Sequence, residues 1–326
     1  MSITRRRALT ASAALVASSS WTLAQAQPAG WPARPITIVV AYPAGGDTDA
    51  LARLVGEKLS ARIGQPVVVD NRAGAAGAIG TTYVSRAAAD GYTLLLAPNT
   101  VVITPHVNTS AAYDPVAGLT PVAQLISQSL FVMVHPGAGV NSMQELAAAA
   151  KAGRITSYAS PGNGSPMHIL GELFNKSAGV NITQVPYKGG APAIADVVAG
   201  HVPMMYMTLA PVAQYVNAGR LKVLAVADPQ RSPFLPNVPT LAEQGFRDAD
   251  VGAWQALFAP RGLPADLVRT LNQHVNDIIR LPEVAERMKS LAQVAAGGDA
   301  AKLGTLASQD YARYGRVVKE FGIRAD

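Results

Sequence analysis

Two loops built from small and polar residues hold most of the chemistry this sequence offers. The first is Tyr42-Pro43-Ala44-Gly45-Gly46-Asp47-Thr48-Asp49, set between a β-branched run and a stretch with helical spacing. Small residues let a ligand approach the backbone, and the free N–H groups of a helix start attract a carboxylate or a phosphate. The Lys-Ser/Thr pair that closes a nucleotide P-loop is missing, so the loop reads as an anion cradle. Asp47, Thr48 and Asp49 suit plain helix capping equally well. The second loop runs from Ser157 through Ser160, Pro161, Asn163, Gly164 and Ser165 to His168 and again joins a strand to a helix. Ser165 with His168 raises a serine-hydrolase reading, but a nucleophile elbow requires Gly-x-Ser-x-Gly and Ser165 stands in Gly164-Ser165-Pro166. A capping or hydrogen-bonded structural role suits His168 better than that of a base.

Other motifs carry less. In Gly74-Ala75-Ala76-Gly77-Ala78-Ile79-Gly80 the glycines miss the dinucleotide spacing, which leaves a loop packed against a helix start. His106, His135, His168, His201 and His274 never pair at metal-ligand spacing. The chain has no cysteine, which excludes disulfides, thiolate zinc sites and cysteine nucleophiles. Neither a metal nor a cofactor is expected.

The elements that must position these loops alternate. Residues 36–41 form a β-branched run of the type a doubly buried strand requires, and Leu51, Leu54, Val55, Leu59 and Ile63 then recur at helical spacing up to Gly64. Strands are predicted at 67–70 and 92–97 around a helix at 79–89. Such alternation implies a mostly parallel sheet with helices on both faces. A second set follows the apolar run 130–134, with helices at 142–150, 168–177, 192–199 and 210–218 and strands at 155–159, 183–186, 203–207 and 223–227. A strand at 251–259 leads into helices at 264–279, 282–291 and 299–321. The first segment has too few helices for its strands, so the late helices must return to cover it. Two α/β domains are expected, 27–127 plus 250–326 and 128–249, with crossings near 128 and 250. Ligands of open α/β sheets bind beyond the carboxyl ends of the strands, so the two loops should face one cleft.

Residues 1–26 differ from the rest. Arg5, Arg6 and Arg7 precede a short apolar run that ends at Ala24-Gln25-Ala26, the layout of a secretory signal cleaved after Ala26. The arginines fit either the general secretory or the twin-arginine route. The formal charge of +6 drops to +3 once these three arginines are removed. With 6% aromatic residues and no block of like charges, nucleic acid is not an expected partner. No later stretch reaches the roughly 18 apolar residues of a membrane span. An exported, soluble, monomeric protein is expected.

Taken together, Pro43-Ala44-Gly45-Gly46 with Asp49, Ala52 and Arg53, then Gly64-Gln65-Pro66-Val67-Val68-Val69-Asp70-Asn71-Arg72, resemble the substrate-binding proteins of tripartite tricarboxylate transporters, the Bordetella uptake (Bug) family. Asp90-Gly91-Tyr92-Thr93, Pro186-Tyr187-Lys188-Gly189, Gly219-Arg220-Leu221-Lys222 and Val238-Pro239-Thr240 continue the likeness across the chain. The resemblance implies a periplasmic-binding-protein-like fold of type II. In it, two α/β domains joined by two crossover strands close on a small carboxylate and present it to membrane permease subunits. It further implies that Ala44, Gly45, Gly46, Thr48 and Asp49 hold the ligand carboxylate from one side, where Tyr42 and Asp47 of the same loop are further candidates. Ser160, Asn163, Gly164, Ser165 and His168 face it from the other, and Tyr187 lines the cleft. Two positions depart from the family pattern. Asp47 adds an acid beside the anion site, and Met207 stands where the family commonly has Asp. An aromatic or amino-bearing carboxylate is therefore expected ahead of a tricarboxylate. A ligand-dependent partner of a periplasmic sensor and a secreted hydrolase are the competing readings.

Overall fold

The computed structural model describes residues 30–325. The export signal expected over 1–26 lies outside them. The chain runs β1 (Ile36–Val40), α1 (Asp47–Ile63), β2 (Val67–Asn71), α2 (Ala78–Ser85), β3 (Thr93–Pro98), α3 (Thr100–Val107) and β4 (Leu119–Gln128). It continues through β5 (Leu130–Val134), α4 (Met143–Lys151), β6 (Ser157–Ser160), α5 (Pro166–Ala178), β7 (Thr183–Pro186), α6 (Gly190–Val198), β8 (Met204–Thr208), α7 (Ala213–Asn217) and β9 (Lys222–Val226). The return is β10 (Ala253–Pro260), α8 (Ala265–Ile278), α9 (Pro282–Ser290), β11 (Val294–Ala295) and α10 (Ala300–Phe321).

Two sheets result, in the orders β11-β4-β10-β3-β1-β2 and β7-β6-β8-β5-β9. Within the first, side chains alternate between two cores with the strand period of two. Ile38, Val40, Leu94 and Leu96 face α1 and α8, while Val39, Leu95 and Ala97 face α3 and α10. Both faces are buried, which is why 36–40 reads as an unbroken apolar run. The second of these cores runs on without a break into the second sheet, through Leu130, Val132 and the α5 residues Ile169, Leu170 and Phe174. α10 thus packs both domains, and Lys176 of α5 reaches Glu320 of α10 at 2.7 Å.

The sheets are less parallel than the alternation implies. β2, β1 and β3 pair in parallel, but β10 runs antiparallel to β3 and to β4. In the second sheet β5 is antiparallel to both β8 and β9. The cause is the double crossing. The chain leaves the first sheet at Gln128 and enters the second at Leu130, then comes back between Val226 and Ala253. The crossings are tied together by Ala227 N–H to Leu130 O at 2.8 Å and Val251 N–H to Ala227 O at 2.9 Å. Helix α2 stops at Ser85 rather than 89, and the helix expected over 210–218 splits into a 3₁₀ turn at Ala210–Val212 and the short α7, with Pro211 in the turn.

Candidate ligand cleft

The loop between β1 and α1 is held by a network rather than by the capping first expected of its acids. Gly46 is the N-cap of α1 and makes no side-chain cap bond. Asp49, only 4% exposed, reaches back instead. Its Oδ2 accepts from the Gly45 N–H at 2.9 Å and from Arg53 Nε at 3.0 Å. Arg53 Nη2 then donates to Asn71 Oδ1 at 3.2 Å, and Asn71 Nδ2 donates to the Tyr42 carbonyl at 3.1 Å. Strand, loop and helix are thereby cross-linked through β2. The Arg53 hydrogen bond and the Gly45 N–H hold the Asp49 carboxyl down at about 2. Gly45 sits at φ +87°, a left-handed conformation that side-chain-bearing residues rarely adopt.

Tyr42 does not face the cleft as its place in the loop suggests. Its hydroxyl is engaged by Thr100 Oγ1 and donates to Ala76 O at 3.4 Å, and burial pushes its pKa to about 12. Thr48 and Asp49 are likewise buried, so Pro43, Ala44, Gly45, Gly46 and Asp47 form the exposed part of the loop.

Across the cleft, the loop between β6 and α5 is similarly self-tied. Ser160 is fully buried, accepting from Gln184 Nε2 at 2.6 Å and from the Gly162 N–H at 3.2 Å. Ser165 caps α5 by accepting the His168 N–H at 3.2 Å and donates to Gly162 O at 2.8 Å. The His168 ring accepts the Gly164 N–H at Nδ1, 3.2 Å, while Nε2 lies 3.7 Å from Glu172 Oε1. Burial drives the imidazole down to about 4, so it is neutral at ordinary pH. Ser165 Oγ therefore meets the backbone of His168, not its ring, and among the described residues this pair has no nucleophile–base geometry. Asn163 is half-buried in the same loop. The Tyr187 hydroxyl donates to Asp196 Oδ2 at 2.5 Å, and burial followed by that carboxylate raises it to about 12.

Between the two loops lies a cavity of about 580 Å³. Gly46 and Asp47 line it from the first domain. The second domain contributes Pro161, Met167 of α5, Gly190 and Ala191 at the start of α6, and Met207 and Thr208 at the end of β8. Ile194, Ala195, Pro211 and Tyr215 complete the wall. Of the residues expected at the site, Gly46, Asp47 and Met207 meet here. Ser160, Ser165 and His168 shape the loop that carries Pro161, and their polar groups are spent on it. Sequence reasoning missed the start of α6. Gly189, at φ +104°, precedes it with no side-chain cap, repeating the glycine pair that opens α1. The orphan N–H groups of a helix start are thus presented from both domains. A larger cavity, about 820 Å³, lies within the first domain between Ala75, His106 and the tail after α10.

Gly164 marks the contact between the domains. It sits at φ +70°, and a Cβ there would fall 2.8 Å from Val107 Cγ2 at the end of α3. Gly164→Ala is expected to lower stability by about 1–2 kcal/mol through the left-handed backbone and to weaken ligand binding by keeping the loops apart. Thermal melts and titration calorimetry check this, and an unchanged melting temperature would count against it.

Two α/β layers, a paired crossing and a cavity at the carboxyl ends of strands from both layers define a two-domain binding protein of the periplasmic type. The chain belongs to the tripartite tricarboxylate transporter receptor family, whose model, "Tripartite tricarboxylate transporter family receptor", matches residues 51–323. It is 37% identical over 327 residues to a UPF0065 protein from the tcbD-tcbE intergenic region of Pseudomonas sp. (strain P51), covering 99% of this chain and 96% of that one. The solved periplasmic binding protein BugD superposes with a TM-score of 0.77 at 31% identity, over 91% of this chain and 100% of its own. Rpa4515 of R. palustris, solved with adipate, gives 0.79 at 33%, over 90% and 99%. The chain is a solute-binding receptor of this family.

Proposed function

We propose that this receptor captures a small organic carboxylate between its domains in the periplasm and delivers it to the membrane subunits of a tripartite tricarboxylate-type transporter. The observation that carries the reading is the cavity of about 580 Å³ into which helices α1 and α6 both open. A helix start is an anion site, and that of α6, with no acid in its first turn, suits a carboxylate. Residues 27–127 with 250–326 act as one body and 128–249 as the other. Closure draws Gly46 and Asp47 toward Met207, and Ala44, Gly45, Thr48 and Asp49 with Ser160, Asn163, Gly164, Ser165, His168 and Tyr187 hold that geometry. Ligand contacts from both bodies favour the closed state. The apolar wall and Asp47 favour a ligand with a ring or an amino group beside its carboxylate over a tricarboxylate.

The protein binds without turnover, acts as a monomer, and reaches the periplasm through its leader. A thermal-shift screen of carboxylates, followed by titration calorimetry, tests the reading. A ligand at 100 times its Kd is expected to add about 2.7 kcal/mol to stability. If no carboxylate in the screen binds, the assignment is wrong.

A further inference from the structure

Among the described residues lining the cavity, Asp47 carries the one carboxyl side chain, and the hydroxyls of Thr208 and Tyr215 are the other polar side-chain groups. The wall otherwise consists of Met167, Ile194, Met207, prolines, alanines and glycine backbone. Asp47 is exposed at the first position of α1, and among the described residues no hydrogen bond or ion pair engages it. Helix capping does not account for it, since Asp49 performs the reach-back to the loop and is neutralised by Arg53. An acid in the first turn gains from the helix dipole wherever it points, so the dipole alone does not require it to face the cavity.

A second carboxylate at this end of α1 also alters what the helix start attracts. The partial positive charge there, about half an elementary charge, is outweighed by two acids of which Arg53 offsets one. No lysine, arginine or histidine among the described residues lines the cavity to restore the balance. The start of α6, at Gly190 and Ala191, carries no acid in its first turn. The cleft is therefore bipolar, with a negative pole on the first domain, an anion-accepting pole on the second and an apolar wall between them.

Resting on the receptor reading above, we infer that Asp47 is the charge selector of the cleft. The ligand carries a cationic nitrogen that meets Asp47, an apolar body, and one carboxylate at the start of α6, and dianions are discriminated against. Inside a closed cleft the attraction of an ammonium and the repulsion of a carboxylate at the same spot act in the same direction, which amplifies selectivity.

Three six-carbon acids that differ only at the far end test this: 6-aminohexanoate, hexanoate and adipate. Titration calorimetry of the full mature chain is expected to rank 6-aminohexanoate at least about tenfold tighter than adipate, with hexanoate between them. In Asp47→Asn the ratio of 6-aminohexanoate to adipate should collapse to within about threefold, because the charge that separates the two ligands has been removed. Adipate binding as tightly as the amino acid, a ratio unchanged in Asp47→Asn, or no binding by any of the three would each overturn the selector. Failure of every carboxylate in the wider screen would overturn the receptor reading beneath it. Equal melting temperatures of the two proteins without ligand would show that the substitution acts on binding.

Discussion

Asp49→Ala is expected to lower ligand affinity more than tenfold and stability by about 2 kcal/mol, the scale of charge-assisted hydrogen bonds to a buried group. The side chain is nearly inaccessible and holds the Gly45 N–H on one side and Arg53 on the other. Without it, Gly45 is free to leave its left-handed conformation, and Arg53 no longer bridges α1 to Asn71 and the Tyr42 carbonyl. The loop loses the shape that places Gly46 and Asp47 at the cavity. Asp49→Asn keeps an acceptor for Gly45 and loses the charge that draws Arg53, so it should fall between wild type and alanine. The carboxyl is held at about 2 in the folded protein against 3.8 in a free chain. Its stabilisation is complete above pH 4 and disappears as the pH falls through 2. Calorimetric titration and urea melts of the three proteins at pH 7 provide the check. Wild-type affinity in Asp49→Ala would show that the loop is held by other means.

The elements legible in the sequence are those whose cause is local. Residues 36–40 and 93–98 are continuous apolar runs because both faces of their sheet are covered. The left-handed Gly64 that closes α1 and the Ser165 that caps α5 are helix-end signals within one turn of the helices they serve. What escaped depends on distant partners. Strand β4 contains Pro121, Gln124 and Gln128, which weaken any strand pattern, and it exists because β10 pairs with it from more than 120 residues away through two register shifts. Helix α3 is made largely of β-branched residues and contains Pro105, so propensity argues against it, yet α10 packs along it. At the site, the glycine pair and the acids of the first loop were visible. That Tyr42 turns inward to Thr100 and that Asp49 serves the loop through Asn71 follow from contacts 58 and 18 to 29 residues apart. The start of α6 had the same signal, a glycine pair before a helix, and was hidden only by the lack of side-chain chemistry around it.

Asp228→Asn is expected to stabilise the protein at pH 7.5 by about 2 kcal/mol and to leave it nearly unchanged at pH 4. Asp228 stands where the second crossing leaves β9, beside the first crossing, whose Ser129 hydroxyl hydrogen-bonds to it. Two cavities of about 450 and 230 Å³ share it as a lining residue. The neighbouring charges bring it little relief. Asp250 repels it, and Arg313, the nearby cation, is already bound to Asp250 at 3.0 Å. Asp310 accepts from Trp254 Nε1, Asp248 adds a further acid to the smaller cavity, and Arg231 is held by Glu243. Burial first, then Asp250, raise the Asp228 carboxyl to about 6. The folded protein thus binds this proton more tightly than the unfolded chain, where the value is 3.8. The penalty of the ionised group is absent below pH 4, grows as the pH rises, and is complete above 6. A carboxyl that holds its proton tenfold more tightly when folded costs about 1.4 kcal/mol once ionised, and the cost is reduced here because the side chain keeps some contact with water. Denaturant melts of both proteins at pH 4 and pH 7.5 decide the matter. A stabilisation of the same size at both pH values would mean that packing, not charge, sets the cost of Asp228 between the two crossings.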